Sequence, residues 1–425
     1  VTSDSADCHF DIAIVGAGAA GLAAAILVRR LNPSRSVVLL DSSAKPGAKI
    51  LVSGGSRCNV TNVAVSERDF NGGKPAIIRR ILKAFPPGDV VAWFASLGVP
   101  LHEEALGKLF PDSNRSRDVL DALLRESASS GVVFQTATRV EGVTAGLALH
   151  TTRGQIRATN VVMATGGLSL PKTGSDGGGL EIARRLGHTI VPTTPALVPL
   201  TSAADRSLHE TLSGVSHDVE LALWIDGRVA LRLRGSLLWT HVGVSGPVVL
   251  DMSRHWLRAL LDERTAHMTL TFLPGQSFDS VDRDLASQDA ARRRASVHGR
   301  LADVLPASLA TTILQRLALE STRPVAELPR VDRRRLARAL VEWPLNIDGN
   351  RGYNYAEATA GGVALDEIDP ATMSSRKCPG LYLVGEMLDV DGRIGGFNFQ
   401  WAWSSALVAA RALASSGGGQ LKVKS

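Results

Sequence analysis

The run Phe10 to Val15 is short, continuous and apolar, and it ends in glycine-rich sequence. Ala19 to Leu31 then reads as a helix with small residues on one face, and a second apolar run, Val37 to Leu40, stops at Asp41. Strand, turn, helix and strand in this order predict the opening of a parallel α/β sheet. Helical sequence follows over Ile77 to Leu97 and Arg117 to Ser129. Alternating segments near Val132 to Phe134, Val140 to Val143, Leu147 to Thr151 and Gln155 to Ala158 predict a small antiparallel sheet appended to the parallel one.

Val161 to Ala164 is another buried-type strand and runs into TGGLSLPKTGSDGGG. Pro192, Pro195 and Pro199 then interrupt regular structure and mark where the chain leaves its first domain. From Leu200 to Phe272 the pattern is strand-like, as in VELALWIDGRVALRLRG, and from Val281 to Val341 it is rich in Arg and Ala and helical. Leu381 to Val384, Gly385, a glycine-rich loop and a helix over Trp401 to Leu413 return to α/β character. The tail SSGGGQLKVKS is expected to be mobile. No internal repeat is present.

With 425 residues, 44% hydrophobic and 21% charged, the chain has the composition of a soluble globular protein of two or three domains. No run of about 18 apolar residues appears, and the start VTSDSADCHFDIAIVG lacks the basic-then-apolar layout of a secretory signal. A cytoplasmic protein without membrane association is expected. Cys8, Cys58 and Cys378 form no C-x-x-C pair, so free thiols are the simplest reading. The formal net charge is +6, and much of the excess sits in Arg292, Arg293, Arg294, Arg333, Arg334, Arg335 and Arg338. These arginines have no interleaved aromatics for base stacking and read as a solvated helical face. A nucleic-acid partner is therefore not expected, with RNA binding kept as the alternative.

Gly16-Ala17-Gly18-Ala19-Ala20-Gly21 follows a strand and opens a helix, and Asp41 falls about 20 residues beyond the last glycine. Gly16 permits the tight turn, Gly18 lets backbone approach a pyrophosphate, and Gly21 lets the helix lie close to the strand. The helix N-terminus offers unpaired N–H groups and a partial positive charge to phosphates. Asp41 is placed to accept hydrogen bonds from ribose hydroxyls, and its charge disfavours a 2′-phosphate. The fingerprint predicts a bound adenine dinucleotide without separating FAD from NAD.

Four further segments carry a family resemblance: GAKILVSGGSRCNVTN (Gly47 to Asn62), ATGGLSLPKTGSDGGG (Ala164 to Gly179), WTHVGVSGPVVLDMS (Trp239 to Ser253), and Ala356 to Ser405, which contains GLYLVGE and GGFNFQWAW. With the fingerprint, they resemble the bacterial flavoproteins that include aminoacetone oxidase-like and bile-acid-related NAD(P)/FAD-dependent oxidoreductases. The resemblance implies non-covalent FAD and an α/β fold with a Rossmann-type domain, of the glutathione-reductase or fumarate-reductase kind, built from both chain ends. Residues 1–195 and 345–425 would form it, with a β-rich insert at 196–275 and a helical insert at 276–344. It further implies that Gly385 and Glu386 meet flavin sugar or ribityl hydroxyls, and that Gly396, Phe397, Asn398 and Phe399 open a helix toward the flavin ring. Lys49, Ser53, Gly54, Arg57, Cys58 and Asn59 would wrap the flavin side, while Ala164, Thr165, Gly166 and the Val140 backbone would pass near the adenosine. For Cys58 a small packed side chain is an equal alternative. Ser56 stands where the family has a typical Gly, and Phe397 stands for a frequent Tyr, which puts in doubt any substrate contact made by that hydroxyl.

Flavin carries the hydride chemistry, while protein positions substrate and tunes the ring. A second G-x-G-x-x-G in strand–turn–helix context is missing, and Gly177-Gly178-Gly179 lies in the wrong context, so the electron partner stays open between transient NAD(P)H and molecular oxygen. His241, in THVGVSGP, is the one weak acid–base candidate, with a hydrogen-bonded structural role as the alternative. No Ser-His-Asp set, metal cluster or phosphate-transfer loop is evident in the sequence. An FAD-dependent oxidoreductase of a small organic substrate is the leading expectation. An RNA-modifying flavoprotein and a flavin-binding protein without turnover are the alternatives.

Overall fold

The computed structural model describes residues 9–287 and 294–415. Cys8, Arg292, Arg293 and the tail beyond Ser415 lie outside the described residues. The chain divides into two compact units, Val1–Thr193 with Glu357–Ser425, and Thr194–Ala356.

In the first unit, both chain ends feed one sheet. Strands Val133–Gln135, Val37–Leu40, His9–Val15, Gly154–Met163 and Leu381–Leu383 lie side by side and parallel. Val15 is opposite both Leu40 and Met163, and Met163 is opposite Leu383, so their carboxyl ends are level. That shared edge is where open α/β sheets bind ligands. The strands read separately at Gln155 to Ala158 and Val161 to Ala164 are one strand of 10 residues. Its first half is half-buried and pairs antiparallel with Ala148–Thr151, whereas its last residues are fully buried in the parallel sheet. The change of environment, not a turn, produces the change in pattern.

Helix Ala19–Leu31 and the closing helix Phe397–Ser415 pack on each other, and both are alanine-rich, which lets their backbones approach. The helical stretch expected over Ile77 to Leu97 is two helices, Pro75–Ala84 and Pro87–Ser96. Pro86 and Pro87 lack the N–H groups needed to carry one helix through.

The second unit is an antiparallel sheet ordered Trp343–Leu345, Ala266–Thr271, Ser216–Ile225, Arg228–Thr240, Gly243–Ser245, Leu200–Thr201 and Gly349–Asn350. Within the segment read as strand-like stands a helix, Pro247–Leu261, which buries Val248, Val249, Met252 and Trp256. Helices Phe278–Leu285, Ala307–Arg316 and Arg330–Val341 place Val281, Leu309, Ile313, Leu336 and Leu340 in the same core as the sheet residues Leu221, Leu237 and Leu270. The segments 196–275 and 276–344, expected as separate inserts, therefore share one core. Arg333 pairs with Asp282 in a partly shielded place, while Arg335 pairs with Asp332 and Arg338 with Glu342 on the surface. Among the described residues, no helix is long and apolar enough to cross a membrane.

Candidate cofactor site

The fingerprint turn is fixed on three sides. Gly16 donates its N–H to the Leu40 carbonyl at 2.8 Å, and a β-carbon at 16 would stand 2.5 Å from the Ala164 carbonyl oxygen. A β-carbon on Gly21 would collide with the Gly16 carbonyl, so strand and helix touch through backbone. Gly18 differs: a β-carbon there meets nothing within 4 Å. This open space lies over the helix N-terminus, where the first-turn N–H groups of Ala19, Ala20 and Gly21 have no intrahelical acceptor. The residues present thus fit a diphosphate, which needs donors, positive potential and an unobstructed approach.

Asp41 performs a task that spacing does not show. Its carboxylate accepts the Ala17 N–H and the Ser43 N–H, each at 2.7 Å, and so ties the turn to the second strand. The Asp41 carbonyl accepts the Thr138 N–H at 2.8 Å, which steers the chain toward Val140, the first residue of strand Val140–Val143.

Glu386 is the centre of a network drawn from four segments. One carboxylate oxygen accepts from the Ser169 hydroxyl at 2.7 Å and from the Thr359 N–H at 3.0 Å, and the other is ion-paired with Lys49. Lys49 also donates to Ser169. Thr359 in turn accepts the Leu168 and Ser169 N–H groups at 2.8 and 3.0 Å, clamping the loop after Thr165 and Gly166. The Glu386 side chain is 20% exposed and that of Lys49 26%, so the pair is shielded but reachable. Gly385 donates its N–H to Ser405 and accepts from the Trp401 indole, which seats this turn on the closing helix.

The segment Ala48–Ser56 starts as a helix and loses it at Ser53, Gly54 and Gly55. The chain then turns back with Cys58 donating to the Ser53 carbonyl at 3.1 Å. Cys58 is fully buried, and burial pushes its thiol up to about 12, which favours the packed reading over a redox one. Arg57 is turned aside: it makes a two-pronged bond to Glu104 at 2.6 and 3.2 Å and lies 4.1 Å over the Phe110 ring. Asn59 joins the two chain ends. Its carboxamide donates to Thr61 and Leu109 and accepts the Gly396 N–H at 3.0 Å.

At the start of the closing helix, where backbone N–H groups are expected to point at a ring, the side chains are engaged within the protein. Phe397 is fully buried, edge-on to Phe70 at 6.1 Å and covered by Arg393, so a hydroxyl lost there is lost from the core. Asn398 closes on Gly392, donating to its carbonyl at 3.0 Å and accepting its N–H at 2.9 Å. Phe399 stacks on Trp403. What remains at this terminus is backbone at Gly395 and Gly396.

The chain matches the model described as HI0933-like protein Rossmann domain over residues 10–412. It belongs to the HI0933-like family. The ribosomal RNA dihydrouridine synthase of Escherichia coli is 34% identical over 95% of this chain and 98% of its own. The 3-dehydro-bile acid delta(4,6)-reductase of Clostridium scindens is 33% identical over 95% of this chain and 98% of its own. Quinol fumarate reductase of E. coli shares the fold, with a TM-score of 0.50, 17% identity, and coverage of 97% of this chain and 72% of that one. The HI0933-like Rossmann domain is an FAD-binding one, and the open space over Gly18 fits the diphosphate of that cofactor.

Two features of this HI0933-like protein escape sequence reading. Ser169 and Thr359 lie within segments of family resemblance but are not singled out there, and only the fold brings them to Glu386. The sequence also hides a Glu–His–Ser chain: His188 bonds Glu367 at 2.9 Å and Ser375 at 2.8 Å. It is a staple rather than a nucleophile, because the Ser375 hydroxyl already accepts the Lys377 and Cys378 N–H groups and the His188 side chain is fully buried. His241 lies in the second unit, exposed in the turn between strands Arg228–Thr240 and Gly243–Ser245.

Proposed function

We propose that this protein is an FAD-dependent reductase that delivers hydride to a carbon–carbon double bond conjugated with a carbonyl in an organic substrate. The observation that carries the reading is the meeting of the Gly16–Gly21 turn and the Gly385–Glu386 turn at one sheet edge: a β-carbon on Gly385 would come within 2.8 Å of the Ala20 β-carbon. One dinucleotide must be met by both. When bound, FAD supplies the hydride chemistry.

The chain's own residues bind and orient. Glu386 offers acceptors, and Lys49 pairs with it in a shielded place, so the carboxylate is held in position by an ion pair and two hydrogen bonds. The N-terminus of helix Phe397–Ser415 supplies positive potential without a formal charge. NADH or NADPH is the proposed electron donor. Two relatives alike in length and identity support the substrate class, since the name of one ends in delta(4,6)-reductase and that of the other in dihydrouridine synthase. Both names denote saturation of a double bond.

The experiment is anaerobic reduction of the FAD-loaded protein with NADH and with NADPH, followed by mixing with enones, amines or uridine. Reoxidation of the flavin by enones supports the reading; bleaching of oxidised flavin by an amine overturns it. A second reading, reduction of uridine in RNA, is favoured by the dihydrouridine synthase relative. It predicts reoxidation by ribosomal RNA and binding that weakens steeply with salt.

A further inference from the structure

Beside the Gly395–Gly396 turn stands a small hairpin, Leu101–Glu104 with Lys108–Pro111, whose tip carries Leu106. Leu106 is 77% exposed and has φ 64°, a left-handed conformation that leucine disfavours. A free tip would relax to a polar residue or a glycine, so two unfavourable choices coincide at one residue. Next to it, Val63 is 48% exposed and donates its N–H to the Gly107 carbonyl at 2.9 Å, and Ala64 and Ala105 are exposed as well.

One buried side chain holds this apolar tip to the cofactor turn. The Asn62 carboxamide donates to the Leu106 carbonyl at 3.0 Å and to the Gly395 carbonyl at 3.2 Å, and its oxygen accepts the Ala64 N–H at 3.2 Å. The amide is almost fully enclosed, so these bonds tie the three segments together. The patch is therefore continuous with the turn and is not a stray surface leucine.

We propose that Leu106, with Val63, Ala64 and Ala105, forms a substrate-recognition lip that receives the hydrocarbon part of an apolar enone. The inference rests on the proposed function, with Gly395–Gly396 at the start of the closing helix facing the ring. An RNA would call for cations or stacking rings on such a lip, and these four side chains offer neither.

The test uses the FAD-loaded full chain and follows the flavin absorption band during titration with 2-cyclohexen-1-one and its 4-butyl derivative. Each methylene drawn out of water is worth about fourfold in affinity. The butyl compound is expected to bind at least about tenfold more tightly to the native protein, by the same per-methylene gain. Leu106→Asp is expected to abolish that preference and Leu106→Met to keep it, both with unchanged flavin spectrum and FAD affinity. Equal binding of the two compounds by the native protein overturns the lip, as does a preference that survives in Leu106→Asp. Displacement of the butyl compound by an oligouridylate whose own affinity falls in Leu106→Asp also overturns it, in favour of RNA. Failure of the native protein to retain FAD at all sinks the proposed function instead.

Discussion

Gly385 and Ala20 stand so close that a β-carbon on the glycine would lie 2.8 Å from that of the alanine. Gly385 also has φ 74°, where an L side chain is strained. Gly385→Ala therefore meets both penalties, of about 1–3 kcal/mol together, and pushes the last strand away from the fingerprint helix. We expect lower thermal stability and loss of FAD on gel filtration. An alanine variant that keeps native flavin content and melting temperature contradicts this account of the convergence.

Lys49 and Glu386 make a pair whose members depend on each other. Lys49→Met leaves a shielded carboxylate that keeps only the Ser169 and Thr359 donors, a loss of about 1–3 kcal/mol. FAD affinity is expected to fall by at least about tenfold, consistent with that cost. Glu386→Gln in the same background should then cost less than it does alone, because the uncompensated charge has gone. Equilibrium binding by flavin fluorescence across the four proteins measures the coupling, and strict additivity would refute the pairing.

The legible part of this chain is the part where backbone has only one solution. The glycines at 16 and 21 and the apolar runs before them declare the sheet and the turn, because close backbone approach excludes side chains there, while Gly18 leaves the cradle open. Side chains that act by meeting distant partners are not legible in the same way. Asp41 is expected to accept from ribose hydroxyls, and its carboxylate also holds the Ala17 and Ser43 amides, a second task that spacing does not reveal. Arg57 is expected to contact cofactor, and its tertiary partners are Glu104 and Phe110. The spacing of residues along the chain carries no trace of such tertiary partners, and a motif reports its neighbourhood rather than the aim of each side chain.

The second unit carries one buried histidine, His209, and two half-buried ones, His217 and His255, that make its stability depend on pH. Burial holds His209 and His217 below the usual imidazole value, and His255 is pushed down to about 4 by burial and then by Arg254. Around His209, Asp205 and Asp348 favour its charged form while Arg316 opposes it, and Asp218 favours that of His217. The folded values lie below the unfolded value of about 6.5. Between them the unfolded chain binds more protons, so this stability is complete above about pH 6.5 and is lost as pH falls through the folded values. Each histidine contributes a slope of at most about 1.4 kcal/mol per pH unit. Urea melts from pH 8 to 5, followed by tryptophan fluorescence, should show a falling midpoint; a flat profile would count against neutral burial of these rings. His217→Gln should remove part of the slope.

Cys58 offers a direct test of whether the SGGSRCN loop has thiol chemistry. The side chain is fully enclosed, and its thiol is pushed up to about 12 by burial, with a bond to Ser53 working the other way. The thiolate is then a minute fraction at neutral pH, and no reagent reaches the sulfur without opening the loop. Iodoacetamide added to the native FAD-loaded protein should leave the Cys58 peptide unmodified by mass spectrometry, and urea should expose it. Cys58→Ser should keep enone-dependent flavin reoxidation within about twofold while costing stability on the order of 1 kcal/mol, from a hydroxyl placed in an apolar site. Rapid native labelling, or loss of reoxidation in a serine variant that still binds FAD, would give this cysteine a chemical part in turnover and overturn the packing interpretation.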